Sequence, residues 1–238
     1  MKFPSLWLLV FVLCLTACAG TDINKILQGA GAALPLTEQE VSSGLREALI
    51  QGISIGADNA AQTDGYFRNE LIRILLPEDA RRVENTLRQI GLGAEVDRAL
   101  LSINRGAERA AAQAKPIFIS AIRQLAIQDA FNILRGEENA ATNFLRRTTE
   151  AQLLAAFRPE IQKALQEVGA TRHYSDLANA YNAIPLTNRK IDPDLDAYVT
   201  AKAIDGLFVL VAQEEKNIRE NPGARTTALL RRVFGNQN

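Results

Sequence analysis

Apolar positions along this chain recur at helical spacing from Thr37 onward, and strict two-residue alternation appears nowhere. Thr37 followed by Glu40 forms a capping box and opens a first helix. Within it Gly44, Ala48, Gly52, Gly56 and Ala60 return every fourth residue, and Asp64-Gly65 marks its end. A row of small residues lets another backbone come close. Charges at Arg46, Glu47 and Asp58 break any apolar span, so the spacing predicts packing within a domain rather than a membrane dimer. Ile72–Leu76 reads as a buried extended connector before Pro77. Pro77, Glu78 and Asp79 then start a helix carrying Val83, Leu87 and Ile90, which Gly91 stops.

From Gly93 the positions Val96, Leu100, Ile103, Ala107, Ala110 and Ala111 hold helical spacing as far as Pro116. Further helices are expected over Ile117–Leu125, Asp129–Arg135, Glu137–Arg147, Glu150–Phe157 and Pro159–Val168, with Gly136, Arg158-Pro159 and Gly169 as punctuation. A short piece opens at His173-Tyr174. The strongest start signal is Asp192 as N-cap with Pro193 in the first turn, ahead of the stripe Leu195, Val199, Ala203, Leu207 and Leu210. Asn221-Pro222 repeats that start before a last helix through Leu229, Leu230, Val233 and Phe234. No repeat of 20 to 50 residues is present. The pattern predicts an all-α fold: a single multi-helix domain with short loops over residues 37–238.

The stretch ahead of that domain has a different character. Lys2 precedes an unbroken apolar run from Leu6 to Leu15, too short to span a bilayer as a mature helix and of the form of an export signal. Leu15-Thr16-Ala17-Cys18 resembles the lipobox of bacterial lipoproteins. That resemblance implies cleavage after residue 17, acylation of the Cys18 sulfur by a diacylglycerol, and a permanent membrane anchor; an ordinary signal peptide with a chance cysteine is the alternative. Residues 1–17 are thus expected to be a lipoprotein signal peptide and residues 18–36 a tether. Ala19, rather than aspartate, after the cysteine implies the outer membrane, with the domain facing the periplasm.

Composition then narrows the chemistry. Processing would remove one of 27 basic and none of 27 acidic residues, leaving a net charge of −1. That balance offers no electrostatic footprint for nucleic acid. Trp7, Met1 and Cys14 would leave with the signal. An intramolecular disulfide, a catalytic thiolate and a zinc–cysteine site are then excluded. His173 is the single histidine, so paired-histidine metal sites are excluded within one chain, and it reads as a surface residue rather than a general base. No cofactor is implied.

The helical segments resemble a bacterial envelope family, domain of unknown function 4197. The likeness rests on Asn104-Arg105-Gly106-Ala107-Glu108, on Asp129-Ala130 with Ile133-Leu134 and Gly136, and on Ala141-Thr142. It rests most on Tyr198-Val199-Thr200, Asp205-Gly206-Leu207-Phe208, Glu214-Glu215, Ile218-Arg219, Asn221-Pro222, Arg225-Thr226-Thr227 and Val233-Phe234-Gly235. Ile103 and Leu125 stand where the family tends to have methionine. The resemblance implies a helical lipoprotein domain without an assigned activity.

Polar residues on apolar stretches are the candidate site. Asn104 and Glu108 lie one turn apart on one face, while Asp129 and Asp205 are each flanked by apolar neighbours. A buried carboxylate must be paired, hydrogen-bonded or neutral, and Arg219 and Arg225 are among the possible partners. One expectation is a set of interhelical bonds that fix register. The other is a cleft where Glu108, Asp129 and Asp205 converge on a cation or small polar ligand. Glu214 and Glu215 with Arg219 read as a solvated face with an i, i+4 pair. Two functions follow as expectations: a non-enzymatic module that binds a protein or small ligand in a groove between helices, or a hydrolase or lyase using Glu108 and Asp129 as acid and base.

Overall fold

The computed structural model describes residues 36–183, 190, 192–225 and 227–235. The chain divides into a leading unit, 1–37, and a helical unit, 38–238. The expected signal peptide, Cys18 and nearly all of the tether belong to the leading unit and lie outside the described residues, as does the loop around Pro185.

The helical unit contains α1 (Glu38–Ala61), α2 (Arg81–Gln89), α3 (Gly93–Ala111), α4 (Ala114–Arg123), α5 (Ile127–Leu134), α6 (Ala140–Glu167), α7 (Ala170–Asn182), α8 (Leu195–Glu220) and α9 (Ala228–Gly235). Short 3-10 turns at Glu78–Ala80 and Pro222–Ala224 precede α2 and α9. No strand occurs among the described residues, so the fold is all-α as the spacing predicts. No single helix among them is long and apolar enough to cross a membrane.

The long helix α6 lies against α3, α4 and α8, and α1 covers α8 and α4. Leu145, Leu153, Phe157, Ile161 and Leu165 form the fully buried face of α6. Burying each such side chain contributes about 1.5–3 kcal/mol, which makes this face the centre of the core. Phe118 on α4 and Phe208 on α8 meet edge to face, with ring centroids 5.6 Å apart.

The small-residue row of α1 packs within the unit, as its interrupted polarity implies. A Cβ on Gly44 would meet Val233 Cγ2 of α9 at 2.9 Å, and one on Gly52 would meet Ile218 Cδ1 of α8 at 2.8 Å. At Gly56 the nearest atoms are the Leu210–Val211 backbone at 3.5 Å. Gly106 does the same work on α3, where a Cβ would come within 2.8 Å of Ala164 Cβ on α6.

Several expected boundaries move: the helix expected to open at His173-Tyr174 begins at Ala170, and the last helix begins at Ala228, with only a 3-10 turn at Pro222. The three helices expected between residues 137 and 168 form one, α6, with Pro159 inside it. A mid-helix proline forfeits a hydrogen bond at a cost of about 3 kcal/mol. Ala155 and Pro159 lie on the exposed side of the helix, while Phe157 and Ile161, both fully buried, keep it seated. The break expected at Pro116 falls at 112–113 instead, leaving Pro116 in the first turn of α4, where its missing N–H matters little. The N-cap of α8 is Asp194, whose Oδ1 accepts from Ala197 N at 2.9 Å. Asp192 accepts from Asp194 N and shapes the turn before it.

Candidate functional site

Asn104 and Glu108 share one face of α3, and both side chains hold backbone rather than a ligand. Asn104 is completely buried. Its Oδ1 accepts from Ile74 N at 2.9 Å, while its Nδ2 donates to Ile74 O at 2.9 Å and to Leu100 O at 2.8 Å. The carboxamide therefore satisfies the connector as a neighbouring strand would. One turn on, Glu108 Oε1 accepts from Tyr66 N and Phe67 N, each at 3.2 Å. Its Oε2 accepts from Arg105 Nη1 at 2.5 Å, and Arg105 Nη2 reaches Asp64 Oδ1 at 2.7 Å. Hydrogen bonding to Glu108 and then to Asp64 raises the Arg105 pKa above its usual range.

These bonds fix the turn that follows α1, where Asp64 holds a positive φ of 67°. The Tyr66 ring enters the core beneath it and its hydroxyl donates to Ala203 O on α8 at 2.6 Å. Burial, reinforced by the Glu108 charge, pushes the Tyr66 phenol far above its ordinary range. Gly206 makes room for this ring, since a Cβ there would meet Tyr66 Cε1 at 2.9 Å and Ile72 Cβ at 3.0 Å.

A second carboxylate clasp sits at the other end of α8, and the sequence pattern undervalues it. Glu215 is buried, not solvated. Its oxygens accept from Ala141 N at 3.0 Å, Thr142 N at 2.8 Å and Thr142 Oγ1 at 2.8 Å, capping the N-terminus of α6. Arg219 Nη2 reaches Glu215 Oε1 at 2.7 Å and donates to Ile133 O at 2.9 Å, the last turn of α5. Arg225 donates from Nε to Ile218 O at 3.1 Å and from Nη2 to Arg219 O at 2.7 Å, closing the end of α8. Arg219 and Arg225 thus serve helix ends around Glu215 and do not pair with Glu108, Asp129 or Asp205.

The expected convergence of Glu108, Asp129 and Asp205 does not form. Asp129 lies half-buried in the first turn of α5. Asp205 is exposed and bonds Arg146 Nη1 at 2.9 Å, with the guanidinium stacked 4.4 Å from the Phe208 ring centroid. Glu108, sealed and triply bonded, has no open face for a substrate, so Glu108 and Asp129 do not make an acid–base pair across a cleft. Among the described residues no three of His, Cys, Asp and Glu are grouped as a cation would require.

Open space lies elsewhere: in a shallow hollow of about 520 Å³ along α1, lined by Ser43, Arg46, Glu47, Ile50 and Thr227 among others, and on the two sides of the 71–81 stretch. The larger cleft, about 660 Å³, runs between α2, the first half of α3, the end of α6 and the starts of α7 and α8. Leu76, Leu87, Leu92, Val96, Tyr174 and Leu195 line it. Glu84, Glu95, Arg98 and Glu167 stand on its rim, with exposed His173, as expected of that histidine, beside them. Each rim acid has an arginine partner: Arg88 at 3.0 Å for Glu84, Arg98 for Glu95, and Arg109 at 3.8 Å for Glu167. Hydrogen bonds donated by Arg88 to Asp97 and then to Glu84 raise its pKa. A smaller groove of about 290 Å³ lies between residues 71–75 and α8. Neither cleft was legible in the sequence, because each is the gap between elements distant in the chain.

No curated protein and no solved structure matches this chain. The model of one family, described as a protein of unknown function (DUF4197), matches residues 35–235, the whole of the helical unit just described. With both carboxylate clasps and the intervening core inside that span, the chain belongs to the DUF4197 family.

Proposed function

We propose that this domain is a non-enzymatic binding module that takes an uncharged, apolar ligand or partner segment into the 660 Å³ cleft. A diacylglyceryl anchor on Cys18 would hold it at the periplasmic face of an outer membrane. The observation that carries the reading is the cleft itself. Its volume is that of a small-molecule site, its floor is aliphatic, and each acid on its rim already has an arginine beside it: Arg98 on the rim, Arg88 and Arg109 outside it. Leu92 and Val168, 43% and 40% exposed, extend the apolar surface to the mouth. A charged ligand would have to break those pairs; an apolar one displaces only water.

The test uses the full chain carrying Cys18→Ser and the uncharged probe N-phenylnaphthylamine. Fluorescence titration should show saturable one-to-one binding, and Ala99→Trp, which fills the cleft, should abolish it while the helical circular dichroism stays unchanged. Absent or non-saturable binding, or equal binding by Ala99→Trp, would refute the cleft as the site. The anchor is tested separately by mass spectrometry of the native N-terminus: an unmodified cysteine there removes it.

A further inference from the structure

Residues 71–76 alternate in burial. Ile72 and Ile74 are 5% and 3% exposed, whereas Leu71 and Leu75 are 67% and 42% exposed, with Arg73 exposed between them. Ile72 and Arg73 still donate to Asn69 O in the turn that leads in, and from Arg73 onward the alternation is that of extended chain with one face in the core. In extended chain the main-chain groups of consecutive residues point to opposite edges. One edge is satisfied: Asn104 bonds both the N–H and the C=O of Ile74. On the opposite edge the N–H and C=O of Leu75 carry no hydrogen bond among the described residues. The 290 Å³ groove lies beside the segment, and its far wall is the outward row Tyr198, Lys202, Asp205 and Val209 of α8.

The charges at this groove are unbalanced. Arg73, Arg81 and Lys202 line it, against Asp205, which Arg146 already pairs at 2.9 Å. Leu71, Leu75 and Val209, the last 39% exposed, set aliphatic surface among those cations. We propose that this groove receives an extended segment of another protein, alternating acidic and aliphatic residues, added as a strand along Leu75. Its backbone would pair with the Leu75 N–H and C=O. Its carboxylates would reach Arg73, Arg81 and Lys202, and its aliphatic side chains would cover Leu71, Leu75 and Val209.

The experiment again uses the full chain with Cys18→Ser. The probe is a fluorescein-labelled synthetic peptide of alternating glutamate and valine, read by anisotropy. Three changes should each weaken its binding about tenfold or more. The first is N-methylation of alternate peptide amides, which removes strand pairing but not charge. The second is the charge reversal Arg73→Glu with Lys202→Glu. The third is Leu75→Pro, which deletes the one N–H in question at a site where that group bonds nothing in the free protein. The charge-reversed protein should instead bind the matching lysine–valine peptide. Urea midpoints check that each variant is folded, and because Arg73 and Lys202 are exposed the reversal should leave its midpoint near that of the parent. No binding of the acidic peptide overturns the proposal, as does equal binding of the N-methylated form. Co-sedimentation with phosphatidylglycerol vesicles that the peptide does not displace overturns it too, by assigning the patch to a lipid surface.

Discussion

Replacing Glu215 with alanine should be among the most damaging single changes in the chain, and the structure says why. The carboxylate, with a side chain 5% exposed, answers two backbone N–H groups at the start of α6, one hydroxyl and one guanidinium. Ala141 and Thr142 are 1% and 7% exposed, so water cannot easily replace it. Loss of an N-cap acceptor costs about 0.5–2 kcal/mol, and orphaning one partner of a buried ion pair about 3–5 kcal/mol. The same two oxygens serve both roles, so the sum overcounts, and about 4 kcal/mol is the expected total. With an m-value of about 2 kcal/mol per molar urea, the midpoint should fall by about 2 M in denaturation followed by far-ultraviolet circular dichroism. Glu215→Gln keeps one acceptor but turns an amide donor toward other donors, and should lose about half as much. In a cycle with Arg219→Ala, the double variant should be less damaged than the two singles together, by about 2 kcal/mol. A loss below about 1 kcal/mol for Glu215→Ala, or additivity in the cycle, would show that this pair is solvated and that the junction of α5, α6 and α8 is held by something else.

The other consequences concern the first clasp and the glycines. Asn104→Asp would keep an acceptor for Ile74 N but face two buried carbonyls with a negative oxygen; a loss above about 3 kcal/mol in urea denaturation is expected, and near-neutrality would refute the described bonding. Tyr66 keeps its proton in the folded state at pH values where the unfolded chain, near its ordinary 10.0, has lost it. Stability from this group is thus complete below about pH 10 and falls above it by up to about 1.4 kcal/mol per pH unit. Tyr66→Phe should lack that component of the alkaline slope, seen by comparing the two proteins' urea midpoints between neutral and alkaline pH. Gly56→Ala should stabilise by up to about 1 kcal/mol, since a Cβ fits at 3.5 Å and glycine is a poor helix former. Gly106→Ala should instead lose about 1–3 kcal/mol against Ala164, and thermal melts of the two variants should shift in opposite directions.

The helical periodicity carried the fold class and most element positions, because buried faces repeat on α3, α6 and α8. Pro159 misled because local punctuation overstates a break when both flanking turns bury large side chains. The shared face of Asn104 and Glu108 follows from their spacing, but what they hold does not: Ile74, Tyr66 and Phe67 are engaged through main-chain groups that every residue possesses. Asp205 points outward with Tyr198 and Lys202 at four- and three-residue steps, so its exposure could have been read from α8 alone. Glu215 could not be separated from Glu214 by pattern, since only the arrival of α6 distinguishes them.

The contact between Gly44 and Val233, with Arg232 within 4.0 Å of Glu40, places the first turns of α1 beside the last helix. Both polypeptide ends of the helical unit therefore emerge at one pole. A force applied between them would peel α9 from α1 turn by turn rather than shear the whole bundle. A short peptide joining residue 235 to residue 38 would give a circular permutant, with new termini opened in an exposed stretch such as 136–139.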